Sequence, residues 1–159
     1  MKRQHNTKKL PDPVFFTDRD LGKRFPQVLR ELGITVQPIH EHLTDPCAGD
    51  DVWLRLVGDR GWLALTRDLR IRYTPQLVKA AMEAGVGMFE IKGAVPHDEL
   101  ARGFVRAFPK VLRYLARHPR PFIGRVYRRS SGEFDVKHVL SLEEWRVGLV
   151  ASSAKRQAK

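Results

Sequence analysis

Apolar and polar positions along the chain fall into short strand-like runs separated by helical ones. Val14-Phe15-Phe16-Thr17 reads as a strand, and its apolar run ends on Asp18-Arg19-Asp20. Leu21 to Leu32 carries Phe25, Val28, Leu29 and Leu32 at helical spacing, with Gly33 where helices favour a left-handed residue. Ile34 to Ile39 reads as a second strand, and Pro38, lacking an N–H, marks it as an edge candidate. After the loop His40 to Gly49, Asp50 caps or begins a helix with Trp53, Leu54 and Val57 facing inward. Gly61 leads into a third strand, 62–65, followed by Thr66-Arg67-Asp68. Pro75 starts a helix that runs through Ala84 and closes at Gly85, and Val86 to Ile91 is a fourth strand.

A long amphipathic helix comes next. Leu100, Phe104, Phe108, Val111 and Leu115 form its apolar stripe, and Pro109 is expected to kink or split it. Phe122 to Tyr127 and Phe134 to Leu140 flank Ser130-Ser131-Gly132 as a hairpin, and Ser141 to Glu144 opens a short last helix as a capping box. Strand and helix alternate through residue 117, which predicts an α/β fold with a mostly parallel sheet. The segment after Pro119 is expected to be an appendage, as an antiparallel edge or a dimer element. The expected divisions are a basic flexible tail at 1–12, a domain at 13–128, a hairpin strand and short helix at 129–150, and a second basic tail at 151–159.

A chain of 159 residues can bury one continuous core. It has no apolar run of the ~20 residues that a membrane span needs, and Met1 to Lys9 lacks the apolar stretch of a secretory signal. One cysteine, Cys47, excludes an intrachain disulfide and suits a reducing compartment, so a soluble cytoplasmic protein is expected. The net charge is +11, but Lys2, Arg3, Lys8 and Lys9 with Lys155, Arg156 and Lys159 account for seven of it, leaving +4 for the body. From Ala101 to Gly132 there are nine Arg or Lys residues and no acid. Arg102, Arg106, Lys110, Arg113 and Arg117 line one helical face, which is either a solvated surface or a row of phosphate contacts.

Two strands that each deliver an aspartate are the sharper signal. Carboxyl ends of parallel strands are where ligands collect in α/β folds. If the first and third strands are neighbours, Asp18 and Asp68 meet at one edge, and a helix starting at Asp50-Asp51 adds a third acid there. Carboxylates so gathered raise one another's pKa unless a cation neutralises them, and Mg²⁺ or Mn²⁺ is the hard cation such oxygens prefer. The blander roles are also open: Asp50 as a helix cap, Asp20 as a cap after the first strand, Asp68 as a turn former. His40-Glu41-His42 is a weaker candidate for a transition metal. Trp53 and Trp62 read as core, and Gly85-Val86-Gly87 as a turn without phosphate-loop spacing.

Phe15-Phe16-Thr17-Asp18-Arg19, then Asp50-Asp51-Val52-Trp53-Leu54, then Gly61-Trp62 through Thr66-Arg67-Asp68 to Tyr73, resembles the PIN-like ribonuclease family over about residues 14 to 127. The compact branch that forms the toxin half of VapBC-type toxin–antitoxin pairs is the nearest in pattern. The resemblance implies a PIN-like three-layer α/β/α sandwich and an endoribonuclease that uses Mg²⁺ or Mn²⁺. It further implies Asp18, Asp50 and Asp68 as catalytic and metal-binding acids, Asp51 as a nearby substitute, and Thr66 as a residue that orients a carboxylate. Arg19, Lys23, Arg70 and Arg72 flank these acids as RNA phosphate clamps, or alternatively as their salt-bridge partners. RNA and an antitoxin are the implied partners, with a homodimer left open. The chain departs from the pattern in having an aspartate where many relatives carry a glutamate, and Arg70 where a fourth acid is expected. Two rival readings remain: a noncatalytic RNA-binding or interaction module, and a receiver-like domain using Asp18, Asp20, Asp68 and Lys92.

Overall fold

The computed structural model describes residues 12–157. The basic N-terminal tail expected at 1–12 lies outside these residues but for Asp12. Six strands form one sheet: β1 (Phe15–Thr17), β2 (Val36–Pro38), β3 (Leu63–Thr66), β4 (Gly87–Lys92), β5 (Phe122–Arg128) and β6 (Phe134–Ser141). Their order is β2-β1-β3-β4-β5-β6, with the first five parallel and β6 antiparallel to β5. Five helices lie between them, α1 (Arg24–Glu31), α2 (Asp50–Arg60), α3 (Pro75–Ala84), α4 (His97–Arg106) and α5 (Phe108–Arg117), and α6 (Leu142–Gln157) follows β6.

Successive strand residues point to opposite faces, so each strand feeds two cores. Phe15, Leu65 and Phe89 pack with α1, α4 and α5 on one face. Phe16, Ala64 and Met88 pack with α2, α3 and the start of α6 on the other. The result is the three-layer α/β/α arrangement expected, with β2 at an edge, as Pro38 requires.

The helical boundaries follow the glycines and prolines. Gly61 and Gly85 close α2 and α3 in the left-handed conformation (φ 68° and 74°). Pro109 divides the basic helix into α4 and α5, where it sits in the first turn of α5 and needs no intrahelical donor. Gly58 lets α2 lie directly on α3, since a Cβ there would stand 2.3 Å from the Ala84 carbonyl oxygen. The Ser141–Glu144 capping box forms in both directions: Glu144 N–H donates to Ser141 Oγ, and Ser141 N–H donates to the Glu144 carboxylate.

Several expectations change. The helix expected from Leu21 onward is interrupted: a 3₁₀ turn at Arg19–Leu21 ends on Gly22 (φ 62°), and α1 begins only at Arg24. After Pro119, β6 forms the antiparallel edge expected, but β5 is part of the parallel sheet itself, between β4 and β6, with Phe122, Ile123 and Val126 buried. The last helix is not short, since α6 runs to Gln157 through most of the stretch expected to be a tail. The five parallel strands β2-β1-β3-β4-β5 stand in the flavodoxin-like order, which a receiver-like domain would share, so strand order alone does not decide against that reading.

Candidate active site

In that order the connections reverse direction between β1 and β3, since β1 leads outward to β2 while β3 leads to β4. A crevice opens at such a reversal, outside the carboxyl ends of the two strands. Asp18 and Thr66 stand there. Asp18 N–H donates to the Leu65 carbonyl at 3.0 Å, continuing the β1–β3 pairing to the acid itself.

The Asp18 side chain is 7% exposed. It accepts from Arg19 N–H at 2.7 Å and from the buried Thr66 hydroxyl at 3.0 Å. Burial pushes its carboxyl up to about 6, the nearby Asp20 charge adds to this, and Asp50 adds a little more; the two hydrogen bonds pull the other way. Asp20 belongs to the same cluster. The break at Gly22 turns its carboxylate back onto β3, where it accepts from Arg67 N–H at 3.1 Å and lies 3.2 Å from the Thr66 hydroxyl. Its pKa is raised as well, first by burial of the carboxylate. Thr66 therefore sits between two carboxylates and, with one proton, can donate to one at a time. Its oxygen in turn accepts from Asp68 N–H at 3.0 Å.

The other acids border this pair. Asp50 opens α2 but does not cap it; Gly49 holds the cap position, and the Asp50 carboxylate accepts from Trp53 Nε1 at 2.8 Å. Trp53 is fully buried against Phe16, so this bond fixes Asp50 to the core. Asp51 is exposed. Asp68 is bound to Arg70 through Nε at 3.0 Å, and this guanidinium holds its carboxyl below the usual range. Among the described residues no three Asp, Glu, His or Cys side chains already stand close enough to hold a metal ion.

The four basic residues at the site are differently engaged. The Arg19 guanidinium donates to the Asp45 and Ala48 carbonyls and pins the loop before α2. Arg70 takes the salt-bridge role, and Arg72 lies 3.7 Å from the Glu90 carboxylate. Lys23 is exposed. The basic row on α4 and α5 leads away from the site, because α4 starts after the carboxyl end of β4 and α5 ends before the amino end of β5. Arg102 is paired with Asp98, and Lys110 with Glu133 and Asp135. His42 bonds through Nε2 to Gln37 and its ring leans on Trp62, while His40 lies 4.0 Å from the Glu41 carboxylate. Cys47 is exposed in the loop.

Sequence reasoning missed the buried group behind the site. Glu90 on β4, register partner of Thr66, is fully buried and accepts from Arg125 Nε and Nη2 at 3.1 and 2.9 Å. A lone charge inside each of the apolar runs 86–91 and 122–127 was the available signal.

The PIN-like domain family model matches residues 13–93, which contain every acid of the crevice. The chain belongs to the PIN-like domain family. This also weighs against the receiver reading, which the strand order alone leaves standing. A protein of Mycobacterium tuberculosis (strain ATCC 25618 / H37Rv) named "Putative ribonuclease VapC45" is 27% identical over 117 residues, covering 70% of this chain and 84% of that protein. No solved structure matches the chain. Among the described residues no helix is long and apolar enough to cross a membrane.

Proposed function

We propose that the protein is a metal-dependent endoribonuclease acting in the cytoplasm as the toxin of a toxin–antitoxin pair, with its chemistry at the Asp18 crevice. The observation that carries this reading is the Asp18–Thr66–Asp20 arrangement at the β1/β3 reversal, in which a buried and an exposed carboxylate share one hydroxyl and both have raised pKa values, first through desolvation. Such a donor set fits a hard divalent cation, Mg²⁺ or Mn²⁺. Asp18 and Asp20 would hold it, with Asp50 and Asp68 closing on it from α2 and from the turn after β3. The cation, when bound, supplies charge for the phosphate and lowers the pKa of a water.

The protein's own groups do the rest. Thr66 fixes the rotamer of the acids it bridges, and its bond from Asp68 N–H holds that acid within reach. Trp53 keeps Asp50 at the mouth of α2 while leaving its second oxygen free of protein hydrogen bonds among the described residues. Arg70 is a movable counter-ion, exposed and bound through its side chain to Asp68, and it can pass to an RNA phosphate when a cation takes its carboxylate. Support for the toxin role comes from the ribonuclease name of the mycobacterial relative and from its coverage of most of both chains. The antitoxin would be a protein segment that occupies the acidic crevice.

The test is incubation of purified protein with total cellular RNA in Mg²⁺, in Mn²⁺ and in EDTA. The expected result is internal cleavage with either metal and none in EDTA. Cleavage that persists in EDTA, or no cleavage of any RNA with metal present, would overturn the proposal.

A further inference from the structure

The turn after β3 carries a feature that the chemistry at Asp18 does not use. Tyr73 is 71% exposed, the side chain of a 3₁₀ turn (Ile71–Tyr73) whose Ile71 is fully buried beneath it. The Arg72 guanidinium lies over the Tyr73 ring, 4.6 Å from its centre. Behind Arg72 stands Glu90, one of whose oxygens takes both bonds from Arg125. Among the described residues its other oxygen, buried, makes no hydrogen bond, and neither does the buried Nε of Arg72 facing it at 3.7 Å. Two guanidiniums thus face a single carboxylate, and within this trio one positive charge is left over. Beside it a groove of about 710 Å³ separates α3 from α6, with Tyr73, Val78, Leu140 and Trp145 in its walls, Lys79 and Glu83 paired at its side and Glu144 on α6. Neutralising Glu90 takes one arginine, and folding needs no aromatic ring at this exposure.

We propose that Arg72 and Tyr73 form a nucleotide-binding subsite for single-stranded RNA next to the scissile phosphate. Tyr73 stacks on a base that enters the α3–α6 groove, and Arg72, oriented from behind by Glu90, contacts the phosphate of that nucleotide. Stacking on an exposed ring and contact from a fixed guanidinium are how single strands are held without sequence reading. The Arg72 guanidinium held over the ring favours a strand with a phosphate at that point over an uncharged apolar partner, and continuity with Thr66 through its register partner Glu90 places the subsite beside the reacting centre. This inference rests on the ribonuclease reading.

Its test is the affinity of a short labelled oligouridylate in EDTA, where metal-dependent cleavage cannot contribute. Tyr73→Ala is expected to weaken binding about tenfold and Tyr73→Phe not at all. Arg72→Gln is expected to reduce the slope of log affinity against log salt by about 0.7, the loss of one phosphate contact on a single strand. A thermal melt of each variant shows that the fold is intact. Unchanged affinity in Tyr73→Ala, or an unchanged salt slope in Arg72→Gln, overturns the subsite. Because the assay needs no catalysis, the two readings fail separately: metal-dependent cleavage with unaltered Tyr73→Ala binding removes the subsite alone, and the expected binding losses without cleavage under any metal remove the nuclease alone.

Discussion

Asp18→Asn is expected to abolish RNA cleavage and, in the absence of metal, to make the protein harder to melt. The loss comes from removing the carboxylate at the centre of the site, and about 10³-fold in rate corresponds to the several kcal/mol that such charge stabilisation supplies. The gain comes from burial. In the folded protein the Asp18 carboxyl is raised from 3.8 to about 6, so the native state binds its proton more tightly than the unfolded chain does. Its contribution to stability is therefore greatest below about pH 4, is lost as pH rises toward 6, and stays lost above that. At one pKa unit per 1.36 kcal/mol the ceiling on this burden is about 3 kcal/mol. Asparagine carries no charge, yet its amide oxygen can still accept from Arg19 N–H or Thr66. Melting in EDTA at pH 4 and at pH 7.5 checks this: the variant's advantage should appear only at the higher pH. A variant less stable than wild type at pH 7.5 would show that the Asp18 carboxylate is an ordinary satisfied group.

Glu90→Leu is expected to destabilise the protein by about 3–5 kcal/mol, since it strands the Arg125 guanidinium in the sheet without a partner. Arg125 is nearly as buried as Glu90, and among the described residues its guanidinium hydrogen-bonds to that carboxylate alone. Arg125→Met should cost less, because Arg72 still faces the Glu90 carboxylate at 3.7 Å. The pair changed together, Glu90→Leu with Arg125→Met, should recover most of the loss, because an apolar pair avoids the desolvation that the ion pair itself incurs. Urea denaturation of the four proteins gives the coupling directly, and additive losses would contradict a shared buried pair.

What the sequence discloses here depends on how local the cause is. The ends of β1 and β3 are legible because strand residues and turn residues differ in kind, and their adjacency is suggested by two aspartates needing one neighbourhood. Gly85, Pro109 and the Ser141–Glu144 box act within a few residues, and each produces the structure its chemistry predicts. Asp20 reads as a cap because the pattern Asp18-Arg19-Asp20 does not show the tight turn at Gly22 that returns its carboxylate to Thr66. That turn is settled by packing, His97 lying 3.1 Å from where a Gly22 Cβ would be. Glu90 and Arg125 are 35 residues apart, and only the register of β4 on β5 makes them one group. Arg19 reads as a phosphate clamp for the same reason: its true neighbours, the carbonyls of the loop before α2, are brought to it by the fold.

The most direct test of the metal site is calorimetric titration of Mn²⁺ into the wild-type protein and into Asp18→Asn, near pH 6 in buffers of different ionisation heat. The wild type is expected to show one saturable site that releases a substantial fraction of a proton on binding, because Asp18 is partly protonated at that pH, and the variant no such site. Equal Mn²⁺ binding by both proteins, or binding by neither, would contradict that expectation.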